Sequence, residues 1–387
     1  MTPRTIIVVV AMLGVCSRST AFMGTIGGGA GRRMAWYSYS RTAKHGELRQ
    51  PQLSRSLGCR AGSGGNFRMS DADFADYESK VTFMFPGQGA QYMGMAANIC
   101  QEVPKAKELF DKASDILGYD LLDKCANGPK DVLDSTEVSQ PAIFVCSMAA
   151  VEKLRLEKGD AALEEATCAM GLSLGEYSAL CFAGALSFED GVKVTKARGE
   201  AMQAASDATD GSMVSVIGLT AEKVQQICDA AAKQSGEPVQ IANFLCNGNY
   251  AVSGSSKACD VVEQIAKPDF KARMTVRLAV AGAFHTSFME AAVDKARLGV
   301  VLDSIEVKKP RIPVVSNVDA EPHSDPGVIK DILKKQVTNP VQFERSIANV
   351  MSKGFLYGYE CGPGKVVAGI LKRVEKKAQM TMLRCHP

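Results

Sequence analysis

The stretch ATCAMGLSLGEYSALCFA, residues 166–183, predicts a strand, a tight turn and a helix in direct succession. Its first five residues are mostly apolar, as in a buried strand, and Glu176–Ala183 has helical spacing. Between them, Gly171-Leu172-Ser173-Leu174-Gly175 matches G-x-S-x-G, a strained turn that lifts a serine above a sheet. The glycines are needed because side chains beside the serine would clash. Such a turn also places N–H groups at a helix N-terminus, where they can stabilise an oxyanion.

Strands and helices alternate on both sides of this turn. Strands are predicted at residues 81–85, just before the turn Pro86-Gly87-Gln88-Gly89, and at 314–316, and helices at 103–117, 139–156, 189–205, 288–300, 328–336 and 341–352. The alternation predicts an α/β fold whose hydrolase-like parallel sheet has helices on both faces, built from residues 80–207 and 282–380.

A different order of elements lies between these two parts. Residues 208–281 give β-α-β-β-α-β, with strands near 212–219, 239–243, 250–253 and 271–278 and helices near 221–233 and 256–265. This order is the ferredoxin-like motif. We therefore expect a small ferredoxin-like subdomain inserted into the α/β core.

The first 70 residues predict a targeting leader. They hold ten basic residues and one acid, Glu47, and an apolar run at 5–15 that is too short to span a bilayer. Small residues precede Phe22, and a stretch rich in Gly, Ser and Arg follows. A signal peptide followed by a transit-like segment resembles the two-part leaders of algae with complex plastids, which implies the plastid stroma. A mitochondrial leader and a disordered tail with a chance apolar run are the alternatives.

The rest of the chain has 35 basic and 41 acidic residues, which gives no electrostatic footprint for nucleic acid. No later segment is long and apolar enough for a membrane helix, so we expect no membrane association of the mature form. Ten of the 12 cysteines lie in this part without metal-ligand spacing, which predicts buried thiols and no metal site.

A serine nucleophile needs a base, and the chain has four histidines. His45 lies in the leader, His323 in a polar loop and His386 beside the C-terminus, whereas His285 stands where the core resumes after the insertion. Elimination therefore favours His285, although a lone histidine is more often structural. No Asp or Glu is recognisable as a third member.

Seven motifs in order carry a resemblance to a known family. They are Phe85-Pro-Gly-Gln-Gly-Ala-Gln91, Gly171-Leu-Ser-Leu-Gly-Glu-Tyr177, Arg198-Gly-Glu-Ala-Met-Gln203, Gly282-Ala-Phe-His285, Pro313-Val-Val-Ser-Asn317, Gln336-Val-Thr-Asn-Pro-Val-Gln342 and Glu360-Cys-Gly-Pro-Gly-Lys365. Together they resemble the motif set of malonyl-CoA:acyl-carrier-protein transacylases, from about residue 81 to 374.

The resemblance implies a role for each matching residue. Ser173 matches the nucleophile and His285 its base, which in that family is oriented by a main-chain carbonyl, here that of Gln336. Main-chain N–H groups matching Gln88 and Leu174 would form the oxyanion hole.

Two further matches concern the acyl group. Arg198 matches the arginine that grips the malonyl carboxylate, a planar fork on a planar anion. Phe284 resembles the malonyl-selective form of related domains, in which a bulky ring leaves little room for an α-methyl branch. The chain departs from the pattern at Leu172, where histidine is usual, at Asn243-Phe-Leu245 in place of Asn-x-Asn, and at Asn247-Gly-Asn249 in place of Pro-Gly-Gln. These changes bear on the reaction rate and on the geometry of the pocket.

The resemblance implies transfer of a malonyl group from malonyl-CoA to acyl carrier protein for fatty-acid synthesis, through a malonyl-serine ester. It implies no metal or redox cofactor, because CoA and the phosphopantetheine arm are substrate groups. We expect a monomer. The alternatives are a standalone polyketide-type acyltransferase, a serine esterase or thioesterase, and an inactive homologue that binds carrier protein.

Overall fold

A computed structural model describes residues 72–280, 282–293 and 298–383. The predicted leader lies outside the described residues. The strands are β1 Val81–Phe85, β2 Cys168–Gly171, β3 Gly211–Ile217, β4 Val239–Cys246, β5 Asn249–Ser255, β6 Met274–Arg277, β7 Val314–Val315, β8 Tyr357–Cys361 and β9 Gln379–Leu383. The α-helices are α1 Ala97–Glu102, α2 Pro104–Leu117, α3 Leu121–Ala126, α4 Lys130–Asp134, α5 Thr136–Lys158, α6 Ala161–Glu164, α7 Gly175–Phe182, α8 Phe188–Asp207, α9 Ala221–Ser235, α10 Ser256–Ala266, α11 Glu290–Val293, α12 Leu298–Ser304, α13 Pro326–Gln336, α14 Phe343–Ser352 and α15 Val366–Val374. Short 3₁₀ helices occupy Ala72–Phe74 and Ser287–Met289.

Five strands form a parallel sheet in the order β7-β2-β1-β8-β9. All five residues of β1 and all four of β2 are buried, as expected for strands covered on both faces. Phe85 pairs with Gly171, and Met170 pairs with Val315, so β1, β2 and β7 end at the same edge of the sheet. The loops that follow these strands are therefore brought together, as ligand-binding loops are in α/β sheets.

The second sheet confirms the expected ferredoxin-like insertion. Its strands are antiparallel in the order β4-β5-β3-β6, with α9 and α10 as the two crossover helices. The main-chain N–H of Phe244 donates to the carbonyl of Val341 at 2.9 Å, and that of Val341 donates to Ala242 at 2.8 Å. These bonds tie the small sheet to the segment that precedes α14. The exact boundaries at 208 and 281 stay a prediction.

Three local predictions need correction. The helix predicted at 139–156 runs from Thr136 to Lys158, so that Pro141 is its sixth residue. The segment predicted as a helix at 288–300 begins within a 3₁₀ turn that precedes α11, and its residues 298–300 belong to α12, while residues 294–297 lie outside the described part. The segment after residue 352 adds β8, α15 and β9, which the periodicity did not reveal.

Candidate active site

Ser173 lies on a strained turn between β2 and α7, at the edge where β1 and β7 also end. Its φ is 50°, a left-handed conformation that costs a residue other than glycine free energy. The two motif glycines are required by close packing. A Cβ on Gly171 would lie 2.0 Å from the main chain of Gly175, and one on Gly175 would lie 2.2 Å from the carbonyl oxygen of Phe85. The sequence pattern therefore corresponds to a real steric need.

His285 contacts the serine directly. Its Nε2 lies 2.9 Å from Ser173 Oγ, and its Nδ1 lies 2.8 Å from the main-chain oxygen of Gln336. A carbonyl oxygen only accepts, so Nδ1 carries the proton and Nε2 presents its lone pair to the serine hydroxyl. The geometry suits a general base without a carboxylate partner.

Arg198, from the middle of α8, reaches the same serine. Its Nη2 donates to Ser173 Oγ and to Gln336 Oε1, each at 3.0 Å, and its Nη1 donates to Gln140 Oε1 at 2.7 Å. The side chain is 1% exposed and lies over the ring of Tyr177, at 5.3 Å from its centroid. Among the described residues, Arg198 Nε is buried without a hydrogen-bond acceptor. A buried donor of this kind favours a ligand that brings an acceptor.

The predicted oxyanion donors lie on neighbouring loops. Leu174 follows the serine, and Gln88 follows β1 in the loop that packs on the turn, where a Cβ on Gly87 would meet the carbonyl oxygen of Leu172 at 2.3 Å. Within the described residues, neither the main-chain N–H of Gln88 nor that of Leu174 has an acceptor. Both donors are therefore available to a developing negative charge.

Three polar residues at the site were not singled out in the sequence. Asn317, just after β7, accepts from the Ser173 N–H at 2.6 Å and donates to the Gly171 oxygen at 2.7 Å. Glu176 accepts from Gln336 Nε2 and from the Asn317 N–H, and Gln140 accepts from Arg198 Nη1. Asn317 and Glu176 stand inside quoted motifs and Gln140 in the predicted first turn of a helix, yet only tertiary contacts reveal their roles.

Two departures from the family pattern, Leu172 and Leu245, are apolar. Leu172 is 8% exposed and belongs to a buried cluster with Met84, Val341 and Phe343, and Leu245 packs against that cluster. Phe284, the predicted selectivity residue, is also buried in the core. The Leu172 side chain is thus accommodated by apolar packing in this cluster.

The electrostatics favour a neutral base. Burial, together with the positive charge of Arg198, lowers the pKa of His285 to about 4. Burial also lowers the pKa of Arg198. For Glu176, burial raises the pKa to about 7, although the hydrogen bonds from Gln336 and Asn317 act to lower it. His285 therefore remains unprotonated at neutral pH and is ready to accept the serine proton.

The pH dependence of Ser173 reactivity tests this arrangement. A neutral fluorophosphonate should label Ser173 at a rate that is level from pH 8 to about 5 and falls tenfold per unit below about 4, since only unprotonated His285 is a base. Labelling is followed by mass spectrometry, and far-UV circular dichroism reports whether the fold survives at each pH. A midpoint near the ordinary histidine value of about 6.5 would contradict the lowered pKa.

The remaining sequence predictions concern histidines, cysteines and helices outside the candidate active site. His323 is buried and pairs with Asp319 at 2.9 Å, whereas His45 and His386 lie outside the described residues. The described part of the chain holds no cluster of His, Cys, Asp and Glu suited to a metal ion. The nine cysteines in this part are thiols outside any disulfide, and eight of them are buried. No helix in residues 72–383, as far as these are described, is long and apolar enough to cross a bilayer.

Known proteins are similar to this chain in sequence. Residues 82–385 match the acyl transferase domain family. The malonyl CoA-acyl carrier protein transacylase of Bacillus subtilis is 39% identical over 299 residues, which cover 77% of this chain and 92% of that protein. A mouse protein named as the mitochondrial malonyl-CoA-acyl carrier protein transacylase is 40% identical, covering 76% of this chain and 79% of its own length.

A solved complex is similar in three dimensions. It holds a type II polyketide synthase acyl-carrier protein with its malonyl-transacylase, and the match has a TM-score of 0.73 at 33% identity, covering 79% of this chain and 96% of that one. The chain is a member of the acyl transferase domain family and, within it, of the malonyl-CoA:acyl-carrier-protein transacylases.

Proposed function

We propose that this protein transfers the malonyl group of malonyl-CoA to the phosphopantetheine thiol of acyl carrier protein. The observation that carries the proposal is the meeting of Ser173 Oγ with His285 Nε2 at 2.9 Å and with Arg198 Nη2 at 3.0 Å. A nucleophile, its base and a buried cation therefore meet at one atom. This arrangement suits an acyl group that ends in a carboxylate.

The first half-reaction forms an ester on the serine. His285 Nε2 takes the hydroxyl proton while Ser173 Oγ attacks the thioester carbonyl, and the N–H groups of Gln88 and Leu174 stabilise the oxyanion. The C–S bond then breaks, and His285 returns its proton to the CoA thiolate. Malonyl-Ser173 remains.

The second half-reaction reverses these roles. His285 takes the proton of the pantetheine thiol, whose sulfur attacks the ester carbonyl. The C–O bond to Ser173 breaks, and the proton returns to Oγ. Each step uses side chains and N–H groups of this chain, so we propose no resident metal or redox cofactor. We also propose that the working unit is a monomer.

Selection of the malonyl group rests on Arg198. Its Nε and Nη2 form one edge of the guanidinium, and Nη2 faces Ser173 Oγ while Nε has no acceptor among the described residues. A carboxylate on this edge would satisfy Nε and lie next to the nucleophile. The buried Phe284 beside His285 would leave little room for a branched acyl group.

Acyl carrier protein is the acceptor that the relatives favour. The similar solved complex pairs a malonyl-transacylase with a polyketide acyl-carrier protein, which supports a carrier as partner. Fatty-acid synthesis is our proposed use, with a polyketide carrier as the alternative acceptor.

The compartment is a separate proposal. The composition of residues 1–70 leads us to propose import into the plastid stroma. The mitochondrion is the alternative, and a relative in mouse that is named as mitochondrial supports it.

A transfer assay tests the proposed function. The chain from Ser70 on is mixed with malonyl-CoA and carrier protein bearing its pantetheine arm, and the carrier mass is followed. We expect malonylation of this holo-carrier and none of apo-carrier, which lacks the thiol. Release of free malonate at the same rate with and without the holo-carrier would contradict transfer and favour a hydrolase.

A further inference from the structure

Glu176 is a buried carboxyl group that the proposed mechanism does not use. It stands in the first turn of α7, three residues after the nucleophile, and is 3% exposed. A carboxyl group with so little access to water must gain its stability from specific partners. Its partners are therefore the place to look for its role.

Two donors meet one oxygen of this carboxyl group. Gln336 Nε2 donates to Glu176 Oε2 at 2.6 Å, and the main-chain N–H of Asn317 donates to it at 3.1 Å. Gln336 comes from the end of α13 and Asn317 from the loop after β7. Glu176 thus joins two segments that are distant in sequence at a single buried point.

Each donor is attached to a different part of the active site. Asn317 holds the strained turn through the Ser173 N–H and the Gly171 oxygen, at 2.6 and 2.7 Å. Gln336 presents its Oε1 to Arg198 at 3.0 Å and its main-chain oxygen to His285 at 2.8 Å. A shift of either donor would therefore be passed to the nucleophile, the base or the guanidinium.

We infer that Glu176 is a positioning residue, a hydrogen-bond acceptor that holds Asn317 and Gln336 and thereby sets the nucleophile turn and the carboxylate-binding arginine. It fixes which way the Gln336 side-chain amide faces. Because Nε2 donates to Glu176 and to the main-chain oxygen of Ser173, Oε1 is left to accept from Arg198. A reversed amide would set NH₂ against the guanidinium. The effect on malonyl selection rests on the proposed function, whereas the effect on the turn does not.

The role requires an acceptor rather than a charge. Burial raises the pKa of Glu176 to about 7, so ionised and neutral forms both occur near neutral pH, and both carry an oxygen that can accept. Arg198 and Asp319 are the charged groups that act on it, with opposite signs. Glutamine at position 176 would keep the acceptor, whereas methionine would keep only the length.

The test compares Glu176→Gln with Glu176→Met. The readout is the ratio of kcat/KM for malonyl-CoA to that for acetyl-CoA, which does not depend on the fraction of protein that is folded. We expect Glu176→Gln to keep this ratio within about threefold and Glu176→Met to lower it about tenfold or more, as a misplaced site does. Gln336→Met, which removes the amide but keeps the main-chain oxygen, should lower the ratio as Glu176→Met does. An unchanged ratio in both methionine variants would overturn the inference.

Fluorophosphonate labelling separates this inference from the proposed function, since it needs no acyl-CoA. We expect Glu176→Met to label Ser173 about tenfold more slowly than the unchanged chain, and Glu176→Gln to label it at nearly the unchanged rate. Equal rates in all three proteins would overturn the inference. If the unchanged chain labels but does not react with malonyl-CoA, the proposed function fails, and the labelling rates alone decide the role of Glu176.

Discussion

The Ser173→Ala variant should transfer malonyl groups roughly 10⁴-fold or more slowly than the unchanged chain, because no atom remains to carry the acyl group. His285 and Arg198 both contact Ser173 Oγ, at 2.9 and 3.0 Å, so the substitution removes the atom that we propose as the nucleophile and is expected to leave its neighbours in place. Substrate binding and the oxyanion donors supply only a small residual rate. Steady-state transfer to holo-carrier protein measures the effect.

Ser178→Ala is a matched control for this variant. Ser178 is a fully buried serine of α7, and its Oγ has no hydrogen-bond partner among the described residues. We expect transfer near the unchanged rate, because no reacting group contacts it. A Ser173→Ala protein that keeps more than about a hundredth of the activity would show that Ser173 is not the nucleophile.

The Arg198→Met variant should lose about a hundredfold to a thousandfold in kcat/KM for malonyl-CoA and far less for acetyl-CoA. A bidentate contact of the guanidinium with a carboxylate makes two charge-assisted hydrogen bonds, together worth about 3 to 4 kcal/mol, at about 1.4 kcal/mol per tenfold. Acetyl-CoA has no free carboxylate, so its reaction does not depend on this contact. Kinetics with both acyl-CoAs on each protein measure the change in preference.

Arg198→Lys gives the control for charge without the fork. Its kcat/KM for malonyl-CoA should lie between those of the unchanged chain and of Arg198→Met, because an ammonium attracts the carboxylate but makes no planar bidentate pair. Both variants leave the Gln140 and Gln336 oxygens without the guanidinium donor, so thermal unfolding is measured beside the kinetics. An equal loss with both acyl-CoAs would contradict a role in carboxylate selection and assign Arg198 to the serine alone.

The fold was largely predictable where local pattern and burial agree. The buried run of β1 and the glycine turn after β2 are signals that a few consecutive residues carry, and the steric contacts of Gly171 and Gly175 explain why. The last three elements were not predicted. β8, with the sequence Tyr-Gly-Tyr-Glu-Cys, has a glycine and a carboxylate in a buried strand, and neither periodicity nor propensity indicates that combination.

The site was predictable to the extent that its residues belong to local motifs. Ser173 follows from its turn, and His285 follows from elimination and from the resemblance, although the two lie 112 positions apart. The roles of Asn317, Gln140 and Glu176 depend on contacts between elements far apart in sequence. An amide or a buried carboxyl group gives no local sign that it holds another side chain, so the structure was needed to find them.

The covalent intermediate is the central claim, and intact mass spectrometry tests it most directly. The protein from Ser70 on is mixed with malonyl-CoA, beside Ser173→Ala. We predict a gain of roughly 86 Da, one malonyl group, on the unchanged chain, none on Ser173→Ala, and its loss when holo-carrier protein is added. An adduct that persists in Ser173→Ala, or the absence of any adduct while malonyl transfer proceeds, would contradict a malonyl-serine intermediate at Ser173.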